Sequence, residues 1–358
     1  MALKIAINGF GRIGRCVFRA IYERNLTSEI EVVAINELAD CDTISYMLRY
    51  DSTHGRFPYE VSVENDQLTI ESGKSDTGES IQRVQILHHE DIANLPWDAL
   101  NVDVVLECTG QFKNHAQLSE HLKQGANKVL LSQPGEPDVD FTLIAGVNQD
   151  DLLAEHKIVS VGSCSTNCVL PVMKLLDDVF TIESGVSTTI HSAMNDQPVI
   201  DAYASDLRRT RAAVTSIIPV DTALPKGISR IMPKLDGKIE SVHLRVPTLN
   251  VSLMDLSLQL GNDTTVEQVN AMLEVECNGK LKELVGFSEE PHASVDFNHD
   301  ARSGVIDGTQ TKVSGGNLVK LLIWFDNEWG FANRMIDGAL RLKSFSNLVG
   351  GCLRATGF

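Results

Sequence analysis

The spacing of apolar and polar positions changes several times along the chain, and each change marks an element. The opening "LKIAIN" alternates like a half-buried strand. Glycines interrupt it, and Ile13, Val17, Ala20 and Ile21 then recur at helical spacing, which predicts strand, tight turn and helix. "EVVAIN" reads as the next strand. "VDVVLECTG" (102–110) and "NKVLLSQPG" (127–135) are apolar strands that stop at small polar residues, as parallel strands do where they deliver loops to the ligand-binding edge of a sheet. "DSTHGRF" and the polar run 64–80 read as a loop and outer strands inserted before that alternation resumes. "HKIVSVGS" is a further short strand, and the apolar positions over 167–177 suit a helix.

From 241 the pattern is different. "SVHLRVPTLNVSLMDLSLQLG" is a long alternating region and "TVEQVNAMLEVECNGKLKELV" is helical, while "SVDFNHD", "SGVIDGTQTKV" and "NLVKLLIWFDNEWG" continue the mixed pattern. In "FANRMIDGALRLKS" the residues Phe331, Met335, Ala339 and Leu342 mark the packed face of a last helix.

The first turn carries chemistry. Gly9, Gly11 and Gly14 follow the G-x-G-x-x-G pattern between strand and helix, which lets backbone approach a pyrophosphate while the helix start receives its charge. Glu37 ends the second strand, 23 residues beyond Gly14, where a carboxylate would hold ribose hydroxyls and repel a 2'-phosphate. Thr109, Gly110 and Ser132, at later strand ends, are further candidate contacts. NAD is the expected cofactor. The fold expectation is therefore α/β: an N-terminal Rossmann NAD-binding domain over 1–162, then an α+β catalytic domain with a mostly antiparallel or mixed sheet over 163–329, and a C-terminal helix over 330–358.

Composition narrows the setting. A formal charge of -17 argues against a nucleic-acid surface, and "DLRRTR" (206–211) is too short and too mixed with acid to reverse it. That group reads as pairing with carboxylates or lining an interface. No apolar run reaches the roughly 18 residues of a membrane span, and the opening reads as a strand, not a secretory signal. A cytoplasmic protein with no membrane association is expected. The seven cysteines are odd in number and scattered, which favours reduced thiols.

Two of them stand in "SVGSCSTNC", which could be half a metal site, a disulfide pair or a nucleophile at a helix start. Cys164 falls at the helix mouth, where unsatisfied N–H groups favour a thiolate; Cys168 falls one turn inside, as an ordinary buried thiol. No partner cysteine pair stands at zinc-like spacing, and four good ligands are not evident, so no metal is expected. His191, 27 residues after Cys164, makes a Cys–His pair the simpler account, with the imidazole as acid or base once the thiol has added to a carbonyl. Joined to an NAD domain, such a thiol would oxidise an aldehyde through a hemithioacetal and leave a thioester. Arg245, inside an otherwise apolar strand, demands an anion, either a protein carboxylate or a substrate phosphate.

"INGFGRIGR", "SCSTNC", "TTIHSAMNDQ", "DLRRTRAA", "SIIPVDT", "RVPTLNVSLMDL" and "WFDNEWGFANR" together resemble the glyceraldehyde-3-phosphate dehydrogenase family along essentially the whole chain. The resemblance implies Cys164 as nucleophile and His191 as its acid/base. It implies Arg12, Ile13, Glu37, Thr109, Ser132 and Asn327 around NAD, with Asn327 on the nicotinamide carboxamide. Around a phosphorylated aldose substrate it implies Ser163, Ser165, Thr166, Asp196, Arg209, Thr222 and Arg245. It further implies a terminal helix that returns to the first domain and a homotetramer with "DLRRTRAA" at subunit contacts. The sequence departs from the glycolytic pattern at Ser165, at Ala193 and Met194, and at Ala223. Met194 offers no O–H donor, and a side chain at Ala223 alters the backbone's approach to an anion. One anion pocket is expected to be weakened, which suits release of the thioester by water.

Overall fold

The computed structural model describes residues 2–75 and 78–352 and divides into two compact units. Residues 76 and 77 of the expected outer strands, and 353–358 of the expected terminal helix, lie outside the described residues. The first unit comprises Met1–Leu143, Asp150–Gly162 and Ala332–Phe358; the second comprises Ile144–Gln149 and Ser163–Phe331. The sequence reading put 144–149 with the first domain. This segment clusters instead with the second unit, where Gly146, at φ +81°, is so close to Leu281 that a Cβ would lie 2.8 Å from its Cδ2.

The first unit holds a nine-stranded sheet in the order Phe141–Thr142, Ile158–Ser160, Lys128–Leu131, Val104–Glu107, Leu3–Asn8, Ile30–Asn36, Gly78–Leu87, Gln67–Ser75, Glu60–Glu64. The pairs from Phe141–Thr142 through Gly78–Leu87 are parallel and the last two antiparallel. Leu3–Asn8 and Val104–Glu107 are almost wholly buried, which is why they read as near-continuous apolar runs. The expected outer strands form the antiparallel margin, joined by a tight turn in which Asn65 and Asp66 both adopt positive φ, at 51° and 57°.

The second unit holds an eight-stranded mixed sheet. At its centre Ile182–His191 runs parallel to Ile239–Arg245 and antiparallel to Ser252–Leu260. The alternating region from 241 is thus two strands that flank a third, separated by a loop that ends at Val251 in the left-handed region, φ +64°. "SVDFNHD" supplies a short 3-10 turn, Ser294–Phe297. The helix Cys164–Phe180 lies in the core of this unit with Cys168, Val169, Val172 and Met173 fully buried. It is longer than the apolar spacing suggested, and Pro171 falls in its interior. The ring removes one backbone donor there, and burial of the surrounding apolar face offsets that loss.

Candidate active site

Cys164 opens this helix, and its setting follows from the hydroxyl residues around it. Ser163 is the N-cap. Its Oγ accepts from the Thr166 amide at 3.1 Å, while Thr166 Oγ1 accepts from the Ser163 amide at 2.8 Å, closing a capping box. Thr166 Oγ1 also donates to the Ser163 carbonyl. These two hydroxyls are thus held by the helix start itself. The Thr166 methyl lies against Gly227 of the helix Leu224–Ile231, where a Cβ would come within 2.9 Å of it. Thr222 Oγ1 accepts from the Leu224 amide at the mouth of that second helix.

His191 ends the central strand and is 2% exposed. Its Nε2 lies 3.6 Å from Cys164 Sγ, so the two residues paired from sequence are neighbours. Strand register places Arg245 opposite His191, and His243 opposite Thr189 two residues earlier on the same face. Arg245 Nη1 consequently stands 2.8 Å from His191 Nδ1, and the His243 ring stacks on the His191 ring with centroids 5.0 Å apart. The same Nδ1 is 2.8 Å from the Ser192 carbonyl oxygen. A neutral imidazole serves one of these partners at a time. If Nδ1–H donates to Ser192, Nε2 is free to take the thiol proton; if Nδ1 accepts from Arg245, Nε2–H points at sulfur.

Charge states follow from burial. Burial above all, and then the Arg245 cation, lower His191 to about 4, so it is a neutral ring near pH 7. Burial likewise raises the Cys164 thiol, against the pull of the Ser165 hydroxyl, Arg245 and the amides of Ser165 and Cys164. At Cys164 desolvation thus opposes the stabilisation of a thiolate by the helix start. Cys168 is a core thiol held far above its ordinary value by burial, and Gly304 leaves room for its sulfur. Cys16, Cys41, Cys108, Cys164, Cys168 and Cys277 are free thiols.

An anion-seeking cluster adjoins the pair. Asp196 accepts from Arg209 Nη1 at 2.7 Å and lies 3.8 Å from Arg245 Nη2. Two guanidiniums thus share one carboxylate, and the buried Nε of Arg245 has no partner. Met194, which stands where the glycolytic pattern has a hydroxyl, is 44% exposed. Asn327 has its Oδ1 held by two hydroxyl donors, Ser192 at 2.9 Å and Ser252 at 2.7 Å, which leaves its Nδ2 as the presenting end.

In the first unit the three glycines have three separate reasons. Gly9 has φ +91° and leaves no room for a Cβ beside the Thr109 amide; at Gly14 a Cβ would meet the Gly9 oxygen at 2.3 Å. A Cβ at Gly11 would touch nothing in the protein, so that space is open to something else. The helix Arg12–Glu23 starts at Gly11 with no side-chain cap, which leaves its first amides for an anion. Ile13 is half-buried in this first turn. Glu37 Oε2 accepts from the Phe10 amide at 2.9 Å and Oε1 from the Leu38 amide at 2.8 Å, fixing the carboxylate beside the turn. Arg12 pairs with Asp51; against the penalty of burial, the amides of His54 and Thr53 and this guanidinium hold Asp51 down at about 2. Thr109 hydrogen-bonds Glu107 through its amide and hydroxyl, and the Ser132 amide donates to the Glu107 carbonyl.

Residues 3–115 match the NAD binding domain of glyceraldehyde 3-phosphate dehydrogenase, and residues 163–327 match the C-terminal domain of the same enzyme. The chain belongs to the glyceraldehyde 3-phosphate dehydrogenase family. As a member of that family it is an NAD-dependent dehydrogenase with a Rossmann-like domain followed by a mixed-sheet catalytic domain. The open space at Gly11 and the uncapped helix start fit the dinucleotide that the family binds. Among the described residues, no helix is long and apolar enough to cross a membrane.

Several residues of this dehydrogenase's site escaped the sequence reading. Asn8, Asn36 and His121 hydrogen-bond around the fully buried Glu107 beneath the glycine turn. The polar residues that end the apolar strands at Asn8 and Asn36 were the available signal. Ser192, Ser252 and His243 carry no motif, because only strand register brings them to His191 and Asn327.

Proposed function

We propose that this enzyme oxidises D-erythrose 4-phosphate to 4-phospho-D-erythronate with NAD, releasing the acyl group to water and feeding pyridoxal 5'-phosphate synthesis. The observation that carries the chemistry is the 3.6 Å approach of Cys164 Sγ to His191 Nε2, with Arg245 on the far ring nitrogen. In this reading His191 takes the thiol proton as sulfur adds to the aldehyde carbon, and the S–C bond forms as the carbonyl π bond becomes an alkoxide, then a hydroxyl. NAD supplies the acceptor for the hydride on that carbon. His191 takes the hydroxyl proton at that stage, leaving a thioester on Cys164. After that proton passes to solvent, the neutral His191 deprotonates water, whose oxygen adds to the thioester carbon and displaces the sulfur; Cys164 recovers its proton from the imidazolium and the phosphorylated acid leaves.

Arg209 and Arg245 converge on Asp196, Arg209 also meets Asp206 at 3.5 Å, and the buried Arg245 Nε without a partner supports a guanidinium donor for a phosphate monoester. Met194 and Ala223 deprive a second anion of a hydroxyl and of close backbone, which supports water over inorganic phosphate as acceptor. Asn327, pinned through Oδ1, offers Nδ2 to the carboxamide oxygen. Val199, Ile200, Tyr203, Leu207, Val214 and Ile217 are more than half exposed, an apolar surface that supports association into a homotetramer through this loop.

The test compares NADH formation from D-erythrose 4-phosphate and glyceraldehyde 3-phosphate, each with and without inorganic phosphate. Higher kcat/KM on the four-carbon substrate, independent of phosphate, is expected. Phosphate-dependent turnover with preference for the three-carbon aldehyde would instead assign the phosphorylating reaction.

A further inference from the structure

A second cysteine–histidine cluster lies in the first unit, made of residues with no role assigned above. Cys41 opens the helix Cys41–Arg49, Asp66 sits in the tight turn between Glu60–Glu64 and Gln67–Ser75, and His88 directly follows Gly78–Leu87. The Asp66 carbonyl accepts from the Ile86 amide at 2.7 Å, which docks the turn beside the strand that ends at His88. Three donor atoms converge: Cys41 Sγ is 3.2 Å from Asp66 Oδ1 and 3.7 Å from His88 Nε2, and those last two are 3.9 Å apart.

We propose that Cys41, Asp66 and His88 form a binding site for a zinc-class dication, with solvent in the fourth position. Zinc bonds of about 2.0–2.3 Å set tetrahedral ligand atoms roughly 3.4–3.6 Å apart, and the three separations bracket that range. The second shell agrees. His88 Nδ1 lies 2.8 Å from the Glu37 carbonyl oxygen, which can only accept, so the neutral ring carries its proton there and turns the Nε2 lone pair toward Cys41 and Asp66. The local field favours a cation as well. The carboxylates of Asp66, Asp40 and Asp42 gather negative charge around the Cys41 sulfur, which a dication would offset. On binding, the thiol releases one proton to solvent as the metal–sulfur bond forms. The ligands are 25 and 22 residues apart on three elements, so no short motif announces them.

The test uses full-length Cys164→Ser protein, which removes the competing thiol at His191, stripped with a chelator and titrated with Co2+ and then Zn2+. One equivalent of Co2+ is expected to give a thiolate-to-cobalt charge-transfer absorption that Zn2+ abolishes. Adding Cys41→Ser should remove that absorption, and His88→Gln should weaken Zn2+ binding by about 10-fold or more. Zn2+ should also raise the melting temperature of the Cys164→Ser protein but not of the Cys41→Ser double variant. Charge transfer that survives Cys41→Ser, or Zn2+ affinity unchanged by both His88→Gln and Asp66→Asn, would overturn the site. Because the ligand side chains are partly or largely exposed, metal-free melting temperatures of all variants should match the parent, which separates loss of binding from loss of fold.

Discussion

Arg245 Nη1 lies 2.8 Å from His191 Nδ1, so a fixed cation faces the ring nitrogen opposite the one that meets Cys164. Arg245→Leu should therefore raise the His191 pKa from about 4 toward the ordinary 6.5, because burial would remain while the nearby charge is lost. NMR titration of the His191 ring measures the shift directly. An unchanged midpoint would show that burial alone sets the value.

His191→Asn should lower kcat by roughly 100- to 10,000-fold while leaving the protein folded, the range expected when a positioned acid/base is removed. The same change should slow alkylation of Cys164 by iodoacetamide near neutral pH, since the thiol then has no acceptor 3.6 Å away. Cys164→Ser should form no acyl-enzyme on aldehyde addition. Mass spectrometry of quenched reactions detects the adduct, and a normal amount in this variant would remove Cys164 as the nucleophile.

Stability should fall as pH drops below about 6.5. His191 and His243 are lowered, chiefly by burial, to about 4 and about 3, whereas in the unfolded chain both take protons near 6.5. Between those values the unfolded state binds more protons than the folded one, so the contribution is whole above 6.5 and is lost as pH falls through the folded values. Each ring adds up to about 1.4 kcal/mol per pH unit to that slope. Urea unfolding between about pH 7 and pH 5 should show it, and His243→Gln should make the dependence shallower.

Gly11→Ala and Gly14→Ala should fail in opposite ways. A Cβ at Gly11 meets no protein atom, so melting should be unaltered while NAD binding weakens. At Gly14 the added carbon would meet the Gly9 oxygen at 2.3 Å, an overpacking expected to cost about 1–3 kcal/mol in stability. Thermal melts with and without NAD separate the two. Equal loss of stability in both variants would contradict the assignment.

Glu37→Ser should raise the NADP-to-NAD ratio of kcat/KM by roughly 10-fold or more, since a carboxylate opposing a 2'-phosphate is gone along with hydrogen bonds of about 1.5–3 kcal/mol. Part of the loss with NAD would come from the freed Phe10 amide, which Glu37 Oε2 now holds at 2.9 Å. An unchanged cofactor ratio would place the discrimination elsewhere.

The strands and helices were legible where one period dominated. The glycine turn, the helix after Cys164 and the buried parallel strands all announced themselves by spacing. The separation of the region from 241 into two strands was not, since alternation continues through the loop and only the positive φ at Val251 breaks the backbone. Cys164 and His191 were found because a thiol and an imidazole are chemically conspicuous. Ser192, Ser252 and His243 were hidden because their importance comes from register across strands, which a linear pattern does not encode. The desolvation that opposes a thiolate at Cys164 is hidden for a related reason: helix-start effects can be read locally, but burial depends on the whole surrounding core.

The capping box at Ser163 and Thr166 also allocates donors. By occupying the Thr166 amide, Ser163 takes one donor out of the helix start on which Cys164 sits. The positive end of this helix is thereby partly spent on its own cap before any ligand arrives. The hydroxyl of Ser163 thus sets how many donors the helix mouth still has to offer.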